Sequence, residues 1–350
     1  MRCVGPGSRV VAGRLKLFAL APSLRVTLLE LGRGVYSVPP RMQLPSWSGA
    51  RLDLATITST VPVASADEPA ALEEIFLLVR QRHGLDLSLY RRAPILRRFA
   101  TRMRSLNCHS HGDYLLRLRE DPEECRQLVC HVTIKVSRFF RDPQVFQRLR
   151  RDILPELFAA KKGGEPLRFW SAGCGNGEEA YSLALLAQEV GERCGQPLGA
   201  TVYGTDVDEE ALDRARRAVY RPEALSELAG DFIATHFAVR KGRTGPEYEL
   251  LPVWRRGVHF QRQDLLSDEA PGEGRPFDLI LCRNVLIYLE RSAQERVVSL
   301  LRESLAPRGC LCLSEAEQLS AVQSSYFEII HRRDGLYRLV SAVPRGGRKS

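Results

Sequence analysis

The stretch LRFWSAGCGNGEEAYSLALLAQE, residues 167–189, decides the fold. Leu167 to Ser171 is a short apolar run of strand length, and Glu179 to Glu189 carries apolar residues at helical spacing. Between them lies Ser171-Ala172-Gly173-Cys174-Gly175-Asn176-Gly177. Glycines in such a loop let the backbone come close to a ligand and turn sharply into a helix. The same spacing also fits a plain tight turn, so the residues that follow carry the information. A dinucleotide would set its pyrophosphate on the helix N-terminus. Glu178 and Glu179 stand there instead and would repel it, whereas a carboxylate suits a cationic ligand.

Downstream, Ala200 to Gly204 is a second strand, followed by Asp206 and Asp208. An acid at that strand end can accept from both hydroxyls of a ribose. Either aspartate fits equally well as a helix N-cap. Gln263-Asp264-Leu265-Leu266 follows the strand-like Val258 to Phe260, and a polar side chain beside an apolar one can bracket an adenine. Phe277 to Cys282 is a buried strand bounded by Pro276, from whose carboxyl end Arg283, Asn284 and Tyr288 emerge. Ligands of open α/β sheets bind at carboxyl ends of strands. The plainer alternative makes Tyr288 core packing and Arg283 a surface ion pair.

Ser292 to Leu305 reads as a helix and Cys310 to Ser314 as a strand. Phe327 to His331 and Leu336 to Val340 form a hairpin around Arg333-Asp334-Gly335. Strands alternating with helices predict an α/β fold, a doubly wound and mostly parallel sheet over 146–340, with an antiparallel addition at one edge. Gly242, Gly245 and Pro246 interrupt the alternation, which predicts a small β subdomain inserted at about 237–260.

Upstream, residues 69–145 read as a small all-helical domain. Leu72, Ile75, Phe76 and Val79 share one helical face; Ile95, Leu96, Phe99 and Met103 share another, crowded by Arg97, Arg98, Arg102 and Arg104. In the connecting stretch Thr133 to Pro143, Asp142-Pro143 fits a helix start and Phe139-Phe140 fit core anchors. Residues 1–68 lack periodicity and read as a disordered leader, in part upstream of the true start. Residues 341–350 read as a basic tail.

The net charge of +9 raises nucleic acid as a partner. Residues 1–66 hold 8 basic and 2 acidic residues and the tail 3 basic ones, while 67–340 carries 40 of each. Basicity therefore sits in the ends and in the helical domain, where 70–150 has 16 basic against 9 acidic residues. That distribution favours an acidic protein partner. No aromatic-interleaved basic motif supports nucleic acid, and no apolar run approaches the ~20 residues of a membrane span. Nine scattered cysteines without a CxxC pair indicate neither a disulfide framework nor a metal site, and fit a reducing cytoplasm.

Taken in order, five segments resemble the CheR-type chemotaxis receptor methyltransferases. They are Phe139-Phe140-Arg141, Gly177-Glu178-Glu179-Ala180-Tyr181-Ser182, Tyr203-Gly204-Thr205-Asp206-Val207-Asp208, Tyr220-Arg221 and Cys282-Arg283-Asn284-Val285-Leu286-Ile287-Tyr288. The match runs from about Leu72 to Leu339. The resemblance implies an S-adenosylmethionine methyltransferase fold and methyl esterification of glutamate side chains on the cytoplasmic helices of methyl-accepting chemotaxis receptors. It implies a monomer without nucleic acid, metal or membrane insertion. Cofactor contacts would fall at Lys135, Ser137, Arg141, Gly173, Glu179, Asp206, Asp264, Leu265, Arg283 and Asn284, with Arg141 and Tyr288 as catalytic residues nearest the methyl. Lys135, Ser137 and Asp264 stand where enteric members carry Asn, Thr and Asn. Arg98, Arg102 and Arg104 would present a basic face to acidic receptor helices. The enteric β subdomain binds a receptor C-terminal pentapeptide; 237–260 lacks the glycine-bounded pattern, which favours an enzyme that works without that tether. A non-catalytic module that senses the cofactor, or a methyltransferase with another acceptor, is the alternative reading.

Overall fold

The computed structural model describes residues 29–31, 34–36 and 68–340, apart from 134–136, 162–164, 197–198 and 268. Within the first 63 residues, which form a unit of their own, β1 (Leu29–Leu31) pairs antiparallel with β2 (Gly34–Tyr36). The remaining expectations for the leader, the basic tail and Lys135 fall outside the described residues.

The helical domain comprises α1 (Glu68–His83), α2 (Arg92–Ser105), α3 (His111–Glu120) and α4 (Pro122–Val132). Local chemistry sets the boundaries. Ser110 and Asp113 form a capping box at the start of α3, and Asp121 accepts from Glu123 and Glu124 at the start of α4, where Pro122 has no N–H to lose. The core is aromatic at its centre: Phe99 lies edge-on to Phe76 and Tyr114, with ring centroids 6.0 and 6.4 Å away. Between α1 and α2 a short 3₁₀ turn, Leu87–Leu89, carries the chain onto the second domain. There the Arg91 N–H donates to Tyr288 O at 2.8 Å and the Glu290 N–H to Leu89 O at 2.9 Å.

After α5 (Pro143–Arg148), one π-helical turn (Leu149–Ile153) and α6 (Leu154–Ala160), the α/β domain begins. Its elements are β3 (Leu167–Ala172), α7 (Glu178–Arg193), β4 (Ala200–Asp206), α8 (Glu209–Arg217), β5 (Val219–Tyr220), α9 (Gly230–His236), β6 (Phe237–Lys241), β7 (Pro246–Leu250), β8 (Val258–Arg262), β9 (Phe277–Cys282), α10 (Arg291–Ser304), β10 (Leu305–Leu313), α11 (Ala321–Ser324), β11 (Phe327–His331) and β12 (Leu336–Leu339). The main sheet has the order β11-β12-β10-β9-β3-β4-β8, parallel from β10 to β8. The final hairpin runs antiparallel at one edge. Every residue of β3 is buried, as expected for the central strand of a sheet covered on both faces.

The chain leaves β3 toward β4 and β8, then returns to the other side of β3 for β9 and β10. The order therefore reverses between β3 and β9, and the two loops that diverge there are the glycine loop and Arg283–Tyr288. A Cβ on Gly173 would lie 2.4 Å from Val285 Cγ2, at a φ of +77° that already disfavours other residues. Glycine at 173 lets these loops touch.

The inserted sheet differs from the sequence expectation. Its order is β5-β7-β6, all antiparallel. It recruits Val219–Tyr220, whereas Val258–Arg262 belongs to the main sheet as the parallel neighbour of β4. The turn at Gly257, rather than Phe260, closes the insertion. Phe139 fastens the subdomain to the domain connection, edge-on to Tyr220 and Phe237 at 4.9 and 5.2 Å. Among the described residues no helix is long and apolar enough to cross a membrane.

Candidate active site

At the switch point a cleft of about 110 Å³ opens between the two domains. The α/β domain lines it with Gly173, Asp206, Gln263, Asp264, Leu265, Asn284 and Tyr288. Tyr90 and Arg98 line it from the helical domain. Apolar walls with a few converging polar groups are the usual make-up of a small-molecule site.

The two aspartates that were interchangeable in sequence have separate tasks. Asp208 caps α8, accepting from the N–H groups of Glu210 and Ala211. Asp206 faces the cleft, its carboxylate oriented by the Gly175 N–H at 2.9 Å and the Asp208 N–H at 3.0 Å. The glycine loop thus holds the acid in place while the Gly173 and Cys174 N–H groups bond Thr205 O. Asp264 is buried and accepts from the Leu266 N–H at 2.9 Å, which turns the chain so that Leu265 borders the cleft.

A second group of residues forms a charged cluster. Ser171 Oγ donates to Glu179 Oε1 at 2.7 Å, and Arg283 Nη1 donates to Glu179 Oε2 at 3.3 Å. Arg283, its side chain only 2% exposed, also donates to Asp142 and to the Arg141 carbonyl, the latter at 3.1 Å. Asp142 is accordingly no conventional cap: it precedes Pro143 of α5 at φ +59°, and its carboxylate is turned to Arg283 instead of the helix. Burial pushes the Glu179 carboxyl up, while Arg283, Ser171 and Arg141 hold it down. Glu178 does not share this environment. It is buried near Asn176 and Arg214, and burial pushes its carboxyl up to about 7. The acidic pair of the sequence is thus split, and only Glu179 belongs to the cluster.

The helical-domain arginines do not form one face. Arg98 reaches into the cleft, donates to Val132 O and lies 5.4 Å from the centroid of the Tyr288 ring. Arg102 is tied to the buried Glu124, which also accepts from the Tyr114 hydroxyl at 2.8 Å. Arg104 is exposed and bonds Thr101 Oγ1 at 3.2 Å. Helical spacing groups Arg98 with Arg102 but turns Arg104 to another side, and the buried acid on α4 claims Arg102. Ser137 is half-buried just before Arg138 and Phe139.

Sequence reasoning missed two residues. Glu317, buried after β10, accepts from the N–H groups of Asn284, Val285 and Ile287. Tyr90 was equally hidden, because no pattern marks where one domain meets another. Two buried polar atoms of the cleft residues, Gln263 Oε1 and Arg98 Nη2, have no hydrogen-bond partner among the described residues. A buried polar group without a partner is costly, and a polar ligand in the cleft would satisfy these two.

Residues 70–133 match the family described as the CheR methyltransferase all-alpha domain, and residues 135–335 match the CheR methyltransferase SAM binding domain. The chain belongs to the CheR methyltransferase family. The resemblance seen in the five sequence segments is borne out, and the protein is an S-adenosylmethionine-dependent methyltransferase of the chemotaxis type. It is 34% identical to a chemotaxis protein methyltransferase of Listeria monocytogenes, over 69% of this chain and 87% of that one. It is 31% identical to the chemotaxis protein methyltransferase of Escherichia coli, over 73% and 87% of the two chains. A probable biofilm formation methyltransferase, WspC of Pseudomonas aeruginosa, is 32% identical over 77% of this chain and 62% of its own.

The site fits S-adenosylmethionine on its own chemistry. The ligand carries a ribose, an adenine, an ammonium and a carboxylate. The cleft offers Asp206 and the Gln263–Leu265 segment; the cluster of two acids and two arginines lies outside the cleft lining, joined to the glycine loop through Ser171 and Glu179.

Proposed function

We propose that this enzyme esterifies glutamate side chains on the cytoplasmic helices of chemotaxis-type receptors. The observation that carries the reading is Arg98 Nη2, a buried guanidinium nitrogen with no hydrogen-bond partner among the described residues, in the cleft that Tyr288 also lines. An anion entering there would satisfy it, and a carboxylate matches the geometry of a guanidinium.

In this reading Asp206 holds the ribose, Gln263, Asp264 and Leu265 frame the adenine, and Glu179 with Arg283 and Arg141 matches the charged amino-acid end. Ser137, Gly173, Asn284 and Lys135 complete the cofactor contacts. S-adenosylmethionine supplies an electrophilic methyl group on a sulfonium. A glutamate is ionised at neutral pH, with a reference pKa of about 4.3, so this chain needs no base to deprotonate it. What the residues must do is align the acceptor and keep water out, and alignment alone is worth roughly 7–11 kcal/mol in favourable cases. Arg98 receives the carboxylate beside Tyr288, while Arg141 offsets the acids at Glu179. Too tight a grip on the carboxylate would stabilise the ground state, so the arginines act by orientation.

The deciding experiment incubates the enzyme with methyl-labelled S-adenosylmethionine and receptor cytoplasmic fragments. Base-labile label on receptor glutamates is the expected result. Tight binding of S-adenosylhomocysteine without any transfer would instead make the protein a sensor, and label on another acceptor would redirect the substrate assignment.

A further inference from the structure

Tyr90 stands where the two domains meet. It follows the 3₁₀ turn that Asp86 caps, and its backbone forms an antiparallel bridge with Leu289, flanked by the Arg91–Tyr288 and Glu290–Leu89 hydrogen bonds. This splint fixes the ring against both the helical-domain core and the core beneath β9 and α10. The side chain lines the same cleft as Asp206, Asp264 and Leu265. Burial, followed by the nearby charges of Asp264 and Asp206, pushes its hydroxyl above the ordinary phenol value, so it stays a neutral donor. An aromatic ring with a donor at its tip, set beside the two acids assigned to ribose and base, suits the face and edge of a nucleoside.

We propose that Tyr90 is a cofactor-contacting residue that covers the nucleoside half of S-adenosylmethionine, so that the helical domain completes the cofactor site and binding fastens the two domains together. The inference rests on assigning Asp206 and Asp264 to the nucleoside, and the test separates the two claims.

The test titrates the full-length protein with S-adenosylhomocysteine by calorimetry, as wild type, Tyr90→Ala, Tyr90→Leu, Tyr90→Phe and Asp206→Ala. Loss of a base-stacking ring weakens binding about 10-fold or more, so Tyr90→Ala and Tyr90→Leu should show that loss. Tyr90→Phe, which keeps the ring, should lose less. Hydrogen exchange on the wild type should slow across residues 87–92 when the ligand is added. If Asp206→Ala weakens binding while Tyr90→Leu stays within about twofold of wild type, the Tyr90 proposal is overturned and the site assignment stands. If neither variant changes affinity, the nucleoside assignment itself falls. Should Tyr90→Ala fail to fold, the Leu and Phe variants and the exchange measurement decide, and unaltered exchange at 87–92 also refutes the proposal.

Discussion

The Glu317 carboxylate accepts the backbone N–H of Asn284 at 2.9 Å, tying the end of β10 to the loop that follows β9. The same carboxylate accepts from the N–H groups of Val285 and Ile287 at 2.8 and 3.3 Å, and from Ser314 N–H and Oγ at 2.9 and 2.6 Å. These donors replace the water the acid gave up on burial. Asn284 has a φ of +60°, a left-handed conformation that asparagine tolerates better than other non-glycine residues, though a single loop geometry there still needs enforcement by its surroundings. Glu317 supplies that enforcement, and so sets the divergence of Arg283 toward Glu179 and of Tyr288 toward the cleft.

Glu317→Gln should therefore cost stability and activity together. The amide keeps one acceptor but turns an NH₂ toward backbone donors, leaving buried groups unpaired at ~1–3 kcal/mol each. A lowered melting temperature and a fall in transfer rate are expected, read by thermal unfolding and the labelling assay. A variant with wild-type melting and wild-type turnover would show that the loop holds its shape without the carboxylate.

Arg283→Met tests the charged cluster. Its guanidinium serves Glu179, Asp142 and the Arg141 carbonyl, so its loss strands a buried acid. Breaking one side of a buried pair costs about 3–5 kcal/mol, to be measured by denaturant unfolding. Adding Glu179→Gln should restore part of the loss, because the uncompensated charge is then gone. If the double variant is less stable than Arg283→Met alone, Glu179 is not the acid that depends on Arg283.

Most of this architecture was legible in the sequence because it rests on local signals. The β3–loop–α7 unit, the strand ending at Asp206 and the run into Arg283 each combine periodicity with a breaker. The closing hairpin is marked by Asp334-Gly335. What escaped depends on partners distant in the chain. Glu317 looks like one more loop acid until its donors, three of which lie some 30 residues earlier, are in place. Arg102 shares a helical face with Arg98, yet Glu124 on another helix draws it inward. Val258–Arg262 is indistinguishable from insertion strands until its parallel pairing with β4 is seen.

Glu178 should give the protein a pH-dependent stability. Its folded pKa of about 7 lies above the ordinary value of 4.5, so folding favours the protonated form. The associated stability is fully present below pH 4.5, declines as pH rises through 7 and is lost above it. Glu178→Gln keeps the neutral shape at every pH. It should match the wild type near pH 4.5 and exceed it at pH 8 by about 3 kcal/mol. Unfolding curves at both values check this. Equal stabilities at pH 8 would mean that the buried carboxylate ionises without penalty.

Arg98→Ala separates acceptor binding from cofactor binding. Arg98 borders the cleft at Tyr288, whereas the acids assigned to the nucleoside lie at 206 and 264. The variant should bind S-adenosylhomocysteine like the wild type while kcat/KM for receptor fragments falls about 10- to 100-fold, the worth of one charge-assisted hydrogen bond of ~1.5–3 kcal/mol. Arg98→Lys keeps the charge but cannot reach both Val132 O and an incoming carboxylate, so it should recover only part of that loss. Arg102→Ala is the contrasting variant: it strands the buried Glu124 and should lower stability while leaving KM for the receptor fragment near wild type. Were Arg102→Ala to raise that KM as much as Arg98→Ala, the acceptor would be gripped by the whole basic side of α2 and not by the guanidinium at Tyr288.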